Sequence, residues 1–142
     1  IWSEGSMWVL GFERALAEWQ RFIRPHGFLV VHEMAWLRPD SPSEIRNCWQ
    51  LVYPGIRTAS EYVERVPEHG YHLIGHFALP EDFWWADYYV PMLARLGDLR
   101  KKYAGDQAAQ KVLDKEQQAA DLYEKYVKWY GSMFLVMQRA EQ

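Results

Sequence analysis

The chain has 142 residues, of which 49% are hydrophobic and 25% are charged, as expected for one soluble globular domain with a hydrophobic core. A formal net charge of -3 excludes the basic surface that grips a nucleic-acid backbone. A single cysteine, Cys48, excludes an intrachain disulfide, and no apolar run is long enough to cross a bilayer, so we predict a cytoplasmic protein with no membrane partner.

The first elements predict a strand, a helix and a second strand. Residues 1–5 have the character of a strand end followed by a turn. Apolar residues at spacings of three and four from Phe12 to Ile23 indicate an amphipathic helix, which Pro25 ends. The continuous apolar run from Phe28 to Val31 is typical of a strand buried on both faces, as in a parallel sheet covered by helices. This order predicts an α/β sandwich.

Two capping boxes predict the next two helices. Ser41 lies three residues before Glu44, and Thr58 lies three residues before Glu61, which is the spacing at which the two side chains cap a helix N-terminus. We expect the second of these helices to end near Val66, because a proline follows it.

The last part of the chain predicts a strand, two helices and a final strand. Residues 71–79 alternate between apolar and polar side chains. Pro80 is expected to open an aromatic-rich helix, and Asp106 to cap a long one that ends at Gly131. An apolar run over residues 133–137 predicts the final strand. This order suits a doubly wound sheet that ends with an antiparallel strand.

A family resemblance covers nearly the whole chain. The segment Ile1 to Gly5, the helix Phe12 to Ile23 and the stretch Arg24-Pro25-His26-Gly27 with its following strand resemble the fourth strand, next helix and fifth strand of class I, Rossmann-like small-molecule methyltransferases. His26 replaces the first glycine of the family's Lys-Pro-Gly-Gly turn. The remainder resembles the sixth and the antiparallel seventh strands. The resemblance implies the C-terminal part of such a sheet, in a single partial domain over residues 1–142 with a helical insertion at about 80–130.

The resemblance also implies a cofactor and an acceptor. Such enzymes transfer a methyl group from S-adenosylmethionine (SAM) to a small molecule, and a glycine-rich turn after their first strand holds the cofactor. No Gly-x-Gly-x-Gly occurs in this sequence. We therefore expect a fragment, a truncated gene product or a degenerate relative that is inactive alone. The alternative is a non-catalytic module that forms a homodimer through an exposed sheet edge or the aromatic helix.

Candidate cofactor-binding residues follow the first strand, because ligands of open α/β sheets bind outside the carboxyl ends of the strands. These residues are Ser3, Glu4 and Gly5. Glu4 is also a candidate for contacting the substrate, where it would orient an acceptor amine or take its proton. The alternative is that Glu4 merely accepts hydrogen bonds at a helix N-terminus.

The other candidate substrate-binding residues follow the fifth strand of the resemblance. They are His32, Glu33 and Trp36, each of which could instead be a structural group with its hydrogen bonds satisfied. Neighbours on a strand point to opposite faces, so we expect at most one of His32 and Glu33 to look into a given cleft.

An aromatic surface on the inserted helix provides two further candidates. Trp84 and Tyr88 lie four residues apart and share a helix face, which could hold a flat or cationic acceptor. The alternative is packing against the core or a dimer contact. His72 and His76 would lie about 13 Å apart on a strand, too far to share a metal ion, so we predict no metal site. No catalytic residue is assigned from the sequence.

Overall fold

The computed structural model describes residues 1–141, which form two compact units. The first unit contains Ile1–Leu79 and the chain from Lys128 onward, and it holds the sheet. The second unit is Pro80–Val127 and is helical. Within residues 1–141, no helix has both the length and the apolar character that a bilayer span requires.

The first unit has five strands and three α-helices among the described residues. The helices are α1 (Phe12–Trp19), α2 (Ser43–Val52) and α3 (Ala59–Glu68). The strands are β1 (Trp2–Glu4), β2 (Phe28–Trp36), β3 (Arg57–Thr58), β4 (Tyr71–Ala78) and β5 (Tyr130–Arg139).

The sheet has the strand order β1-β2-β5-β4, and β3 pairs with β2 beyond the end of β1. β1 and β3 are parallel to β2, whereas β5 is antiparallel to both of its neighbours, β2 and β4. β4 therefore runs in the same direction as β2. The predicted α/β class, with parallel strands and a late antiparallel strand, is confirmed.

The core of the first unit lies between one face of the sheet and the helices α1 and α3. Leu29 and Val31 of β2 and Leu135 of β5 are fully buried against side chains such as Leu16 and Tyr62 of these helices. The first residue of the predicted apolar run, Phe28, is half exposed, so the expectation that this run is buried on both faces was wrong. Alternate residues of β2 face the core, as in a strand with one covered face.

The predicted capping box is present at the start of α3 but not at the start of α2. Thr58 and Glu61 form the predicted capping box at the start of α3. Ser41 makes no cap, because α2 begins at Ser43 and Pro42 occupies the cap position. Helix α3 extends two residues past Val66 and includes Pro67, so the expectation that the proline would end it near Val66 was wrong by two residues.

Gly131 and His26 occupy two positions where the local geometry favours glycine. Gly131 lies inside β5 and does not end a helix. A Cβ there would lie 3.0 Å from Leu37 Cδ1, so a larger residue would require the Leu37 side chain to move. His26 adopts a φ of +61°, a conformation that favours glycine, at the position where the resembled turn has glycine.

The second unit begins with a π-helical turn, Trp85–Tyr89, which continues into α4 (Val90–Lys102). Pro80 precedes this helical segment and does not occupy its first turn. Helix α5 (Gln107–Tyr126) follows, and the side chain of Asp106 accepts hydrogen bonds from the backbone N–H groups of Ala108 and Ala109, which confirms the predicted cap.

Candidate functional site

A cavity of about 270 Å³ opens at the edge of the sheet, beside β2. β1 pairs with β2 as far as His32, and β3 begins to pair with it at Ala35. Among the described strands, none pairs with Glu33 and Met34 on this edge. The cavity lies at this gap, and we call it the Glu33 cavity. Its lining residues are Gly5, Trp8, His32, Glu33, Met34, Trp49, Val52 and Tyr53.

The turn after β1 forms one wall of the Glu33 cavity. Gly5 has a φ of +59°, and its N–H donates to the carbonyl of His32 at 3.3 Å. A short 3-10 turn, Met7–Val9, follows and is anchored by the fully buried Met7. The indole Nε1 of Trp8 donates to the Gly5 carbonyl at 2.9 Å, which fixes the indole at the cavity wall.

Helix α2 forms the opposite wall. Trp49 packs edge-on against Tyr130, with ring centroids 5.2 Å apart, and Val52 lies in the last turn of the helix. Of the apolar side chains on this helix, only Ile45 is buried in the protein interior. The apolar stripe of α2 therefore lines the cavity and contributes little to the core.

Glu33 is the buried acid of the cavity, with 2% of its surface exposed. Its Oε2 accepts a hydrogen bond from the Tyr53 hydroxyl at 3.1 Å. Burial raises the pKa of Glu33 to about 7, although the hydrogen bond from Tyr53 and, more weakly, the backbone of Trp8 act in the opposite direction. The carboxyl can therefore exchange a proton near neutral pH.

Two tyrosines extend this hydrogen bonding into the protein. The hydroxyls of Tyr53 and Tyr62 lie 3.0 Å apart, and the Tyr62 hydroxyl donates to the carbonyl of Met34 at 3.2 Å. Burial raises the pKa of Tyr62 to about 12 and that of Tyr53 well above its ordinary value. Both hydroxyls stay protonated near neutral pH, and we call Glu33, Tyr53 and Tyr62 the Glu33 network.

His32 also contributes to the lining of the cavity, although its side chain and that of Glu33 have different partners. The imidazole of His32 packs against Phe134, with ring centroids 5.1 Å apart. Burial lowers the pKa of His32, while the negative charge of Glu4 acts in the opposite direction.

The structure brings only one of the three candidate cofactor residues to the Glu33 cavity. Gly5 lines it. Ser3 is buried, and its hydroxyl lies 2.9 Å from that of Ser6. Glu4 is exposed and accepts a hydrogen bond from the indole of Trp2. Ser3 and Glu4 lie within β1 and only Gly5 follows it, so the expectation that all three residues follow the first strand was wrong for the first two.

The remaining candidate substrate residues lie elsewhere. Trp36 is buried at the end of β2, packs against Tyr130 with ring centroids 6.3 Å apart, and has the guanidinium of Arg46 at 5.4 Å from its ring. Trp84 and Tyr88 belong to the second unit, and their rings meet edge-on at 6.1 Å. These three residues do not line the Glu33 cavity.

The second unit has cavities of its own. One of about 530 Å³ is lined by Tyr88 together with residues of α4 and α5 that include Arg95 and Glu116. In the part of the chain that the structure describes, no three histidine, cysteine or acidic side chains cluster in a way that would hold a metal ion.

Sequence reasoning missed Trp8, Tyr53 and Tyr62. Tyr53 directly precedes Pro54 and Gly55, a turn signal that would have placed it at the end of α2. Tyr62 and Val66 lie four residues apart on the buried side of α3, so helical periodicity could have placed the ring in the core but not its hydroxyl beside Glu33.

Comparison with solved structures shows which fold this is. A SAM-dependent methyltransferase from Geobacter sulfurreducens, solved with S-adenosyl-L-homocysteine, matches 97% of this chain with a TM-score of 0.76 and 17% identity. YjhP from E. coli matches 97% with a TM-score of 0.79 and 17% identity. The cyclopropane synthase MmaA2 from Mycobacterium tuberculosis matches 98% with a TM-score of 0.66 and 17% identity.

The chain has a Rossmann-like methyltransferase fold. It spans about half the length of these methyltransferase-like structures, namely 57% of the first two and 54% of the third. No protein-family model and no curated protein matches the sequence. Since proteins with different activities share the methyltransferase fold, the reaction has to be argued from the site.

Proposed function

We propose that this chain is part of a SAM-dependent methyltransferase that acts on a small molecule, and that the reactive group of the acceptor lies against Glu33. The observation that carries the proposal is a cavity just past the carboxyl end of β1, beside Glu33 and Met34 of β2, in a methyltransferase fold, that contains a buried carboxyl with a pKa of about 7. Ligands of open α/β sheets bind outside the carboxyl ends of the strands. A carboxyl that titrates near neutrality can act both as a base and as an acid.

The residues at the end of β1 and in the turn that follows suit a cofactor contact. A Cβ at Gly5 would meet no atom within 4 Å, so there is open space beside this turn. We propose that Ser3, Glu4 and Gly5 contact SAM, with Gly5 allowing close approach to the backbone. When bound, SAM would supply an electrophilic methyl group.

The residues of the cavity would position and deprotonate the acceptor. Glu33 takes a proton from the acceptor atom, which frees the lone pair that attacks the methyl group. Tyr53 holds the carboxyl in place through its hydrogen bond. Trp8, Trp49 and Val52 exclude water from the reacting atoms and restrict the orientation of the acceptor. His32 remains a proposed substrate contact at this cavity. Trp36, Trp84 and Tyr88 also remain proposed substrate contacts, although they are not among the residues that line it.

The chain alone is proposed to be inactive. It contains no Gly-x-Gly-x-Gly turn, which is the motif that would place backbone N–H groups against the cofactor. Calorimetry of the 142-residue chain with SAM and with S-adenosylhomocysteine tests this point, and tight one-to-one binding of either would contradict it. A cytoplasmic location also belongs to the proposal, and the lone free Cys48 is consistent with it.

The main experiment uses the native-length protein, SAM with a deuterated methyl group and a small-molecule extract of the source cells, analysed by mass spectrometry. We expect labelled product together with S-adenosylhomocysteine. Glu33→Gln should lower turnover by about a hundredfold or more, because general-base catalysis contributes at least that factor. Glu64→Gln, at an exposed position on α3, should leave turnover unchanged. Failure to bind SAM and to form S-adenosylhomocysteine would overturn the proposal.

A second candidate function is homodimerisation through an edge of the sheet. The two edge strands, β1 and β4, differ in how well they could pair with a second copy. β4 has a bulge at Ile74, between Leu73 and Gly75, and bulges oppose edge pairing. β1 has a regular register with β2 and exposes Trp2, of which 66% is accessible. The β1 edge is therefore the proposed contact, ahead of the aromatic helix that carries Tyr88.

A further inference from the structure

Burial favours a neutral Glu33 in the empty cavity. Only 2% of the residue is exposed, and no lysine or arginine side chain among the lining residues faces the carboxyl. The Tyr53 hydroxyl donates to Oε2 and offsets part of this effect.

The other carboxyl oxygen offers a position for a ligand. Oε1 of Glu33 is buried and has no side-chain hydrogen-bond partner within residues 1–141, while the backbone of Trp8 contributes a weak hydrogen bond to the carboxyl. A buried acceptor with so little compensation is costly, and a ligand that donates a hydrogen bond to Oε1 lowers that cost.

The cavity walls favour a cation as that ligand. The indoles of Trp8 and Trp49 and the thioether of Met34 form an apolar and polarisable surface around the carboxyl. The eight lining residues include no lysine or arginine, and burial lowers the pKa of the single histidine, His32. A positive ligand thus meets one acid and no resident positive charge.

We propose that the Glu33 cavity binds a protonated amine with an apolar body, and that the ammonium group replaces the proton of Glu33. The ammonium donates to Oε1, Glu33 releases its proton to solvent, and Tyr53 continues to donate to Oε2. Binding is therefore coupled to the loss of one proton.

This inference names the acceptor class of the proposed function, and its methyl-transfer step rests on that function. The bound ammonium gives a proton to the Glu33 carboxylate, which leaves a neutral amine and a neutral carboxyl. The nitrogen lone pair forms the N–CH₃ bond while the S–CH₃ bond breaks, and the electron pair of that bond stays on sulfur. The product leaves as a methylated ammonium.

The groups packed around Glu33 leave it as the titrating residue of the cavity near neutrality. Tyr53 faces it from the end of α2 and Tyr62 from α3, and burial raises the pKa of both. The 3-10 turn contributes only the backbone of Trp8, and β5 pairs the uncharged Met133 with Glu33. Burial lowers the pKa of His32, the neighbour on β2, so its neutral form is favoured.

The test measures binding of benzylamine to the native-length protein without SAM. Calorimetry is run at about pH 6 and about pH 8, each in two buffers with different ionisation enthalpies, which counts the protons released. We expect release of about one proton per ligand at the lower pH, little release at the higher pH, and affinity that rises about tenfold between them. Benzyl alcohol, a neutral ligand of similar shape, should bind more weakly at both pH values.

Variants and outcomes separate this inference from the methyltransferase proposal. Glu33→Gln should weaken benzylamine binding and abolish proton release, whereas Glu64→Gln should change neither. If Glu33→Gln fails to fold, proton release by the unmodified protein still decides the matter. The inference is overturned if benzylamine does not bind saturably, binds no better than benzyl alcohol, or binds without releasing protons. Since SAM is absent, those results leave methyl transfer itself standing, and a failed transfer assay leaves amine binding standing.

Discussion

At the scale of single residues, Glu33 should make the stability of the protein depend on pH. Its pKa is about 7 in the folded protein and 4.5 for a free carboxyl, so folding favours the protonated form. The contribution of Glu33 is fully present below the unfolded value and is lost as the pH rises through 7. The difference corresponds to about 3 kcal/mol.

Urea unfolding of the protein and of Glu33→Gln at several pH values checks this prediction. The difference in free energy of unfolding between the two should change in favour of the variant by up to about 3 kcal/mol as the pH rises from about 4.5 to about 8. Glu64→Gln, whose side chain is exposed, should follow the unmodified protein throughout. A constant difference between the protein and Glu33→Gln would contradict the burial argument.

Tyr53 should control the pKa of Glu33. Its hydrogen bond to Oε2 favours the ionised carboxylate, so Tyr53→Phe should raise the pKa of Glu33 above 7. A carbon-13 NMR titration of the glutamate carboxyls measures the change. Tyr71→Phe is the matched control, because the hydroxyl of Tyr71 is also buried but donates to the Leu16 carbonyl. An equal shift in both variants would assign the effect to a general loss of packing.

At the scale of helices and strands, the two predicted capping boxes give a matched pair of variants. Thr58 accepts a hydrogen bond from the backbone N–H of Glu61, whose carboxylate in turn accepts from the backbone N–H of Thr58. Thr58→Ala should therefore cost about 1 kcal/mol. Ser41 is buried, and its hydroxyl has no hydrogen-bond partner within the described residues, so Ser41→Ala should cost less than about 0.5 kcal/mol. Thermal unfolding of both variants distinguishes these values, and equal losses would show that Ser41 also caps a helix.

The order of elements was readable from the sequence because each has a local signal. The apolar run of β2 predicted the strand, and its end pointed to Glu33. The partners of Glu33 were not readable, because Tyr53 is 20 residues away and reaches it only through the packing of α2. The two-residue β3 is too short for any periodicity. Gly131 was misread because a glycine after a helix usually ends it, whereas here it makes room for Leu37.

At the scale of the whole sheet, the cavity results from strands of unequal length. β1 stops at Glu4, while β2 continues to Trp36 and acquires β3 only at Ala35. The gap exposes the edge of β2 at Glu33 and Met34. A ligand can therefore reach a buried carboxyl without separating two hydrogen-bonded strands. Ligand binding at Glu33 then does not lower the stability of the sheet.

The same inequality leaves β1 as the strand through which a second copy would pair, and hydrogen exchange by NMR tests it. The carbonyl of Ile1 and the N–H of Gly5 bond to β2, so the amides of Trp2 and Glu4 point away from the sheet. Amides in the middle of β2 and β5, which have neighbours on both sides, should exchange slowest at every concentration. The amides of Trp2 and Glu4 should exchange rapidly in dilute protein and more slowly at high concentration, as pairing covers them.

Trp2→Lys should remove this dependence on concentration, because a lysine on an edge strand opposes pairing. Amides on the outer edge of the bulged β4 serve as the internal control and should not respond. If exchange at Trp2 and Glu4 is independent of concentration, the homodimer is excluded at this edge, and the methyltransferase proposal is left without its rival there.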